Sequence, residues 1–193
     1  MNTLMHICCA PCANRPIAQL REEGHSVTGF WFNPNIHPYT EYQARKATLE
    51  GYAKEIGMKL IIGGRYDLRS FITNVADNID GRCAYCYRVR MEETAKYAAE
   101  HGFDSFTTSL LISPYQKHDA IAAIAREMGQ QYGVEFLYRD FRPLFREGQE
   151  FAREHGFYMQ KYCGCIFSEE ERYMAAKWKK GAKRREQEAA AQV

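Results

Sequence analysis

Seven cysteines fall into three tight groups along the chain: Cys8-Cys9-Ala10-Pro11-Cys12, Cys83-Ala84-Tyr85-Cys86 and Cys163-Gly164-Cys165. A lone cysteine is most often a small buried hydrophobe, but burial alone does not generate three clusters. Two residues between Cys83 and Cys86 let both sulfurs converge on one metal centre, and the adjacent Cys8 and Cys9 put two more thiolates on a short loop. A structural zinc uses four ligands, which leaves three cysteines without a role, and zinc brings no redox chemistry. Iron and sulfide fit the set better. A four-iron cluster bound by Cys83, Cys86 and one or both of Cys8 and Cys9 leaves Cys163, Cys165 and Cys12 for a second metal or a substrate-facing role. C-x-x-C alone is shared with thioredoxin-like motifs and zinc ribbons, so the weight rests on the three groups together.

These residues sit on an alternating pattern of elements. Thr3 to Ile7 is a short apolar run that predicts a strand, and Pro16 opens a helix-like stretch ending at Gly24. Val27 to Phe32 predicts a second strand, the loop Asn33 to Pro38 follows, and a helix runs from about Tyr39 to Ile56. A third strand is expected at Lys59 to Ile62, a helix at about Leu68 to Asp77, and a longer helix carrying Cys83 through Glu100. Ser105 to Ser109 reads as strand four, Tyr115 to Gln131 as a helix, Glu135 to Tyr138 as strand five, and the remainder as helical with a break around Cys163 to Ser168. Strand and helix in alternation, joined by right-handed crossovers, predict a Rossmann-like α/β fold: an open, mostly parallel sheet with helices on both faces. Ligands of that class bind beyond the C-terminal ends of the strands, where Cys8, Cys9 and Cys12 fall.

Composition bounds the rest. A chain of 193 residues, 46% hydrophobic, encloses one sizeable core, and one α/β metal-binding domain is expected over residues 1–173, with a basic C-terminal helix or tail over 174–193. No apolar run approaches the ~20 residues of a membrane span and the N-terminus lacks an apolar leader, which predicts neither a membrane nor a secreted protein. Clustered reduced thiols fit a cytoplasmic setting. A net charge of +2 is too mild to argue for a polyanionic partner, so any nucleic-acid contact must come from local patches.

The sequence resembles the QueH-type epoxyqueuosine reductases of bacterial tRNA modification. The resemblance is carried by His6-Ile7-Cys8-Cys9-Ala10-Pro11-Cys12, by Phe32-Asn33-Pro34-Asn35-Ile36-His37-Pro38 with Glu41, Tyr42 and Arg45, and by Arg82-Cys83-Ala84-Tyr85-Cys86-Tyr87 with Arg88. It continues through Thr108 to Gln116 and Tyr162-Cys163-Gly164-Cys165, covering about residues 1–173. It implies a HUP-type α/β fold and a four-iron cluster beside a further thiolate-bound iron. The implied reaction reduces epoxyqueuosine at the tRNA wobble position to queuosine, the last step of queuosine biosynthesis, with a low-potential electron donor.

Loss of the epoxide oxygen consumes two electrons and two protons and releases water. An iron held by Cys163, Cys165 and one thiolate of the first loop would bind the epoxide oxygen as a Lewis acid, and protons must come from nearby acids. His6, Glu41, Tyr115 and Asp119 are the candidates, each with a structural reading beside it. The Asn33 to Pro38 loop is either a turn-rich connector or, through Asn33 and Asn35, a contact to the modified base. Tyr39 and Tyr87 offer stacking surfaces, and Arg45, Arg88 and Gln116 complete the expected substrate contacts. Around Trp178 the basic run Lys177 to Arg185 is either a solubilising end or a nonspecific phosphate contact. The rival enzyme is an iron-sulfur tRNA thiolase of the same broad fold, which resembles a Ser-Gly-Gly-x-Asp-Ser phosphate loop after strand one. Here that place holds cysteines and Pro11, without a Gly pair to present backbone N–H groups.

Overall fold

A computed structural model describes residues 1–175 and 177. Five strands form one parallel sheet: β1 (Asn2–His6), β2 (Ser26–Trp31), β3 (Leu60–Ile62), β4 (Ser105–Thr108) and β5 (Glu135–Phe136), in the spatial order β3-β2-β1-β4-β5. Helices α1 (Ala10–Glu22), α2 (Tyr39–Glu55), α3 (Leu68–Val75), α4 (Arg82–Glu100), α5 (His118–Tyr132) and α6 (Phe145–Glu154) connect or follow the strands, and a further helix, α7, runs through residues 166–175. This is the open parallel α/β sheet that the alternation predicts, and it agrees with the HUP-type fold that the resemblance implies. No helix among the described residues is long and apolar enough to cross a membrane. Most of the basic run around Trp178 lies outside the described residues.

The central strands are buried on both faces, as a parallel sheet covered by helices requires, and Leu4, Met5, Phe30, Trp31 and Phe106 are fully enclosed. Helix α5 ends where Gly133 takes the left-handed conformation at φ 66°, a stop that glycine adopts at little cost. Two boundaries differ from the sequence expectation in ways that matter. Helix α1 opens at Ala10 rather than Pro16, because Pro11 falls in the first turn, where its missing N–H has no bond to lose. That moves Cys12 from a loop onto the helix. Helix α5 opens at His118 rather than Tyr115, and a 3-10 turn, Ser109–Ile112, leaves β4 instead.

The strand order reverses beside β1, whose neighbours are β2 on one side and β4 on the other. Connections leave toward opposite faces at such a point, and a crevice opens beyond the two strand ends. His6 pairs with Thr108 at the last register position, so Cys8 and Ser109 emerge side by side into that crevice.

Candidate metal and substrate site

Cys9 caps α1 in an extended conformation, and Cys8, Cys9 and Cys12 gather around the helix N-terminus with all three sulfurs within 4.8 Å of one another. The Cys8 and Cys9 sulfurs are 3.7 Å apart. Unpaired N–H groups and the positive end of a helix favour an anion here. Hydrogen bonds from Cys12 and Cys9 draw the Cys8 thiol well below its usual pKa, against the opposing effect of burial, while burial pushes Cys9 up. Ser109 accepts from the Cys8 N–H at 3.2 Å and donates to its sulfur at 3.6 Å. Gln160 donates to Cys9 at 3.0 Å and to Cys12 at 3.4 Å.

One cavity, with a volume of about 490 Å³, is lined by Cys8, Cys12, Cys83, Cys163 and Cys165. Cys86 and Cys165 pack with Phe71 and Val75 in an apolar cluster separate from the main core. Burial pushes the Cys86 thiol up to about 12. Gln116 donates to the Cys163 sulfur at 3.1 Å, its own carbonyl accepting from Tyr87 at 2.7 Å. Among the described residues Cys8, Cys9 and Cys12 are the group close enough to share one ion, and Cys12 joins it because α1 carries it there.

The donor chemistry fits thiolate-bound metal in both groups. A tetrahedral ion with metal–sulfur bonds of about 2.3 Å spaces its thiolates about 3.8 Å apart, close to the 3.7 Å of the Cys8–Cys9 pair. Three sulfurs would leave one of an ion's four positions free, as catalytic sites of one ion require. Four cysteines including a C-x-x-C pair match what a four-iron cluster takes.

The segment bearing Cys163 has no regular structure and is held by polar bonds. Buried Arg45 pairs with Glu41 at 2.6 Å and donates to the Cys163 and Tyr162 carbonyls at 3.0 Å each. Glu41 also accepts from Tyr158. Tyr162 donates to the His37 carbonyl at 2.6 Å, and the His37 N–H donates to the Gly164 carbonyl at 2.8 Å. Gly164 sits at φ 142°, where a Cβ would meet Arg45 and Ile36 at 3.3 Å.

The sequence candidates divide accordingly. Tyr87, Tyr115, Gln116 and Arg45 line the cavity. Tyr115 is 85% exposed and meets Phe145 edge-on. His6 is fully buried, its ring nitrogens engaged by Thr108 at 2.9 Å and the Phe32 carbonyl at 3.2 Å, and burial lowers its pKa to about 3. It is a neutral brace between β1, β2 and β4. Asn33 is buried and donates to the Ile7 carbonyl at 2.8 Å, and Asn35 is buried beside Gly164, so both stiffen the loop. Tyr39 packs edge-on against Tyr66 at the surface, Asp119 is exposed on the first turn of α5, and Arg88 forms a bidentate pair with Glu127 at 2.8 Å; none of the three lines the cavity. Gln160 and Lys161, which do line it, were missed. Their position just ahead of Tyr162-Cys163 was the available signal.

Fold and site together define a HUP-type α/β protein in which buried thiols occupy the turn after β1 that phosphate-binding members of such folds fill with glycines. A protein-family model described as epoxyqueuosine reductase QueH matches residues 3–171. The chain belongs to that family, a family of oxidoreductases. It is 39% identical over 170 residues to epoxyqueuosine reductase QueH of Dehalococcoides mccartyi, covering 88% of this chain and 93% of that one. It is 34% identical over 174 residues to the QueH of Thermotoga maritima, covering 86% and 88%. Among solved structures it resembles the U34-tRNA thiolase NcsA of Methanococcus maripaludis, with a TM-score of 0.55 and 15% identity over 87% of this chain and 61% of that one, a likeness of fold.

Proposed function

We propose that the protein reduces epoxyqueuosine in tRNA to queuosine, taking up two electrons and two protons and releasing the epoxide oxygen as water. The observation that carries this reading is the buried trio Cys8, Cys9 and Cys12 at the switch point of the sheet, in a chain of a reductase family. Cys83, Cys86, Cys163 and Cys165 would hold a four-iron cluster, and Cys8, Cys9 and Cys12 a further iron. When bound, the cluster supplies electrons one at a time and the single iron supplies a Lewis acid.

The chain's own residues provide the remainder. Gln160 and Gln116 orient the sulfurs through N–H donation from the two cavity walls. Tyr115, Lys117 and Lys161 line the cavity and are groups that can deliver protons to it; His6, locked by Thr108 and the Phe32 carbonyl, braces the strand ends instead. Tyr115, exposed against Phe145, offers its ring to the modified base. Lys117, Lys161 and Arg172 place positive charge around the cavity for the tRNA backbone.

Protein purified without oxygen is expected to contain iron in excess of sulfide. With a low-potential reductant and no ATP it should convert epoxyqueuosine-tRNA to a nucleoside lighter by one oxygen, read by mass spectrometry of the digest. Stoichiometric zinc in colourless, inactive protein would defeat the reading, and a sulfur-bearing product that requires ATP would move the protein to the thiolases.

A further inference from the structure

Three arginines among the described residues are buried: Arg45, Arg82 and Arg90. Burying a guanidinium is costly unless an anion accompanies it. Arg45 has Glu41, and Arg82 has Glu171. Arg90, 1% exposed on α4, forms no salt bridge to a carboxylate among the described residues. Its Nε donates to the Cys86 carbonyl at 2.9 Å and its Nη2 to the Cys86 sulfur at 3.0 Å, while its guanidinium lies 5.8 Å from the Tyr87 ring centroid. It stands one helical turn after Cys86, and its side chain reaches back toward the helix N-terminus, where the C-x-x-C pair lies. The groups that act on its charge include the thiols of Cys86, Cys163 and Cys8, drawn from both thiol groups, and the Tyr87 hydroxyl.

We propose that Arg90 is a positioning residue whose permanent cation is the built-in counter-charge of the thiolate assembly, left without an anion until Cys86 and its neighbours bind metal. This rests on the thiolate–metal reading given above. Several thiolates and sulfides around iron carry net negative charge, and an Arg that cannot lose its proton is the one polar side chain able to offset it at every pH. The arrangement has two consequences of opposite sign. In the metal-free protein the uncompensated cation weakens the fold, and in the loaded protein it favours metal retention and the reduced state.

The test compares wild type with Arg90→Met, which keeps bulk and removes charge, and Arg90→Lys, which keeps charge. Co²⁺ titrated into reduced, metal-free protein reports thiolate binding by sulfur-to-cobalt charge transfer. Arg90→Met is expected to bind Co²⁺ about 10–100-fold more weakly, the loss usual for groups that support metal ligands, and Arg90→Lys nearly as tightly as wild type. The metal-free Arg90→Met protein should melt at or above the wild-type temperature, since replacing an unpaired buried ion by an apolar side chain is neutral or stabilising. After reconstitution with iron and sulfide, its reduction potential should move negative, because losing a positive charge disfavours the added electron. Equal Co²⁺ affinity and potential in Arg90→Met would overturn the proposal. So would a lower melting temperature or failure to fold of metal-free Arg90→Met, which would make Arg90 a structural brace, or Arg90→Lys binding as weakly as Arg90→Met. Wild type that binds neither Co²⁺ nor iron through its thiols would instead defeat the metal reading itself.

Discussion

Cys8, Cys9 and Cys12 belong to the same apolar core as Leu4, Phe30 and Phe106, whereas Cys86 and Cys165 pack with Phe71 and Val75 in a satellite cluster. The trio is placed by the sheet: β1 is paired on both sides, and α1 begins at its end. The second group is assembled from two distant pieces, the first turn of α4 and the irregular segment around Cys163, and the latter is held by Arg45, Glu41, Tyr162 and His37. One side of the cavity is therefore preorganised by close packing, and the other by a few directional polar bonds. Damage to the polar strap should therefore fall first on Cys163 and Cys165 and reach the trio only through Gln160.

The largest effect comes from the thiols themselves. Cys86→Ala should abolish both sulfide content and turnover, while Cys9→Ala should abolish turnover and the excess iron but keep most sulfide, as measured by iron and sulfide analysis of anaerobic protein. The opposite pattern would exchange the roles of the two groups. Next is Arg45→Met, which strands Glu41 as a buried carboxylate. Breaking one partner of a buried pair costs roughly 3–5 kcal/mol, and denaturant unfolding should show it, with hydrogen exchange around residues 158–165 accelerating beyond that of β1. Equal acceleration in β1 would mean that the two sides are not independent.

Gly164→Ala should be milder, at about 1–3 kcal/mol, since it forces a side chain into a left-handed backbone at φ 142° and against Arg45. Sulfide-bearing metal should be lost from this variant more readily than the trio's ion. The smallest effect is that of His37, which burial holds at a pKa of about 4, below the ordinary 6.5. The unfolded chain binds the extra proton first, so this contribution is complete above pH 6.5 and disappears as pH falls toward 4. Its slope is at most about 1.4 kcal/mol per pH unit. Metal-free His37→Gln should show a flatter stability profile across that window, and an unchanged profile would remove His37 from the strap's acid sensitivity.

Much of this was legible in the residues alone. The alternation of apolar runs with amphipathic stretches determines a parallel α/β sheet, because strands buried on both faces and helices with one apolar face have few other ways to pack. Three cysteine groups determine a thiol-rich site, since local spacing already brings the members of each group together. Which groups face each other was decided only in three dimensions. Cys12 reads as a loop residue until Pro11 is seen to fit the first turn of α1, and Cys163 and Cys165 reach the side of Cys86 through Arg45, 118 residues before Cys163. His6, Asn33, Asn35 and Glu41 looked chemical because polar residues next to cysteines usually are. Their burial and their contacts with neighbours distant in sequence place them in the frame instead. Arg90 shows the converse: along the chain it is one basic residue among many, and its burial beside the Cys86 sulfur with no carboxylate paired to it among the described residues, a property of the packed interior, ties it to the thiols.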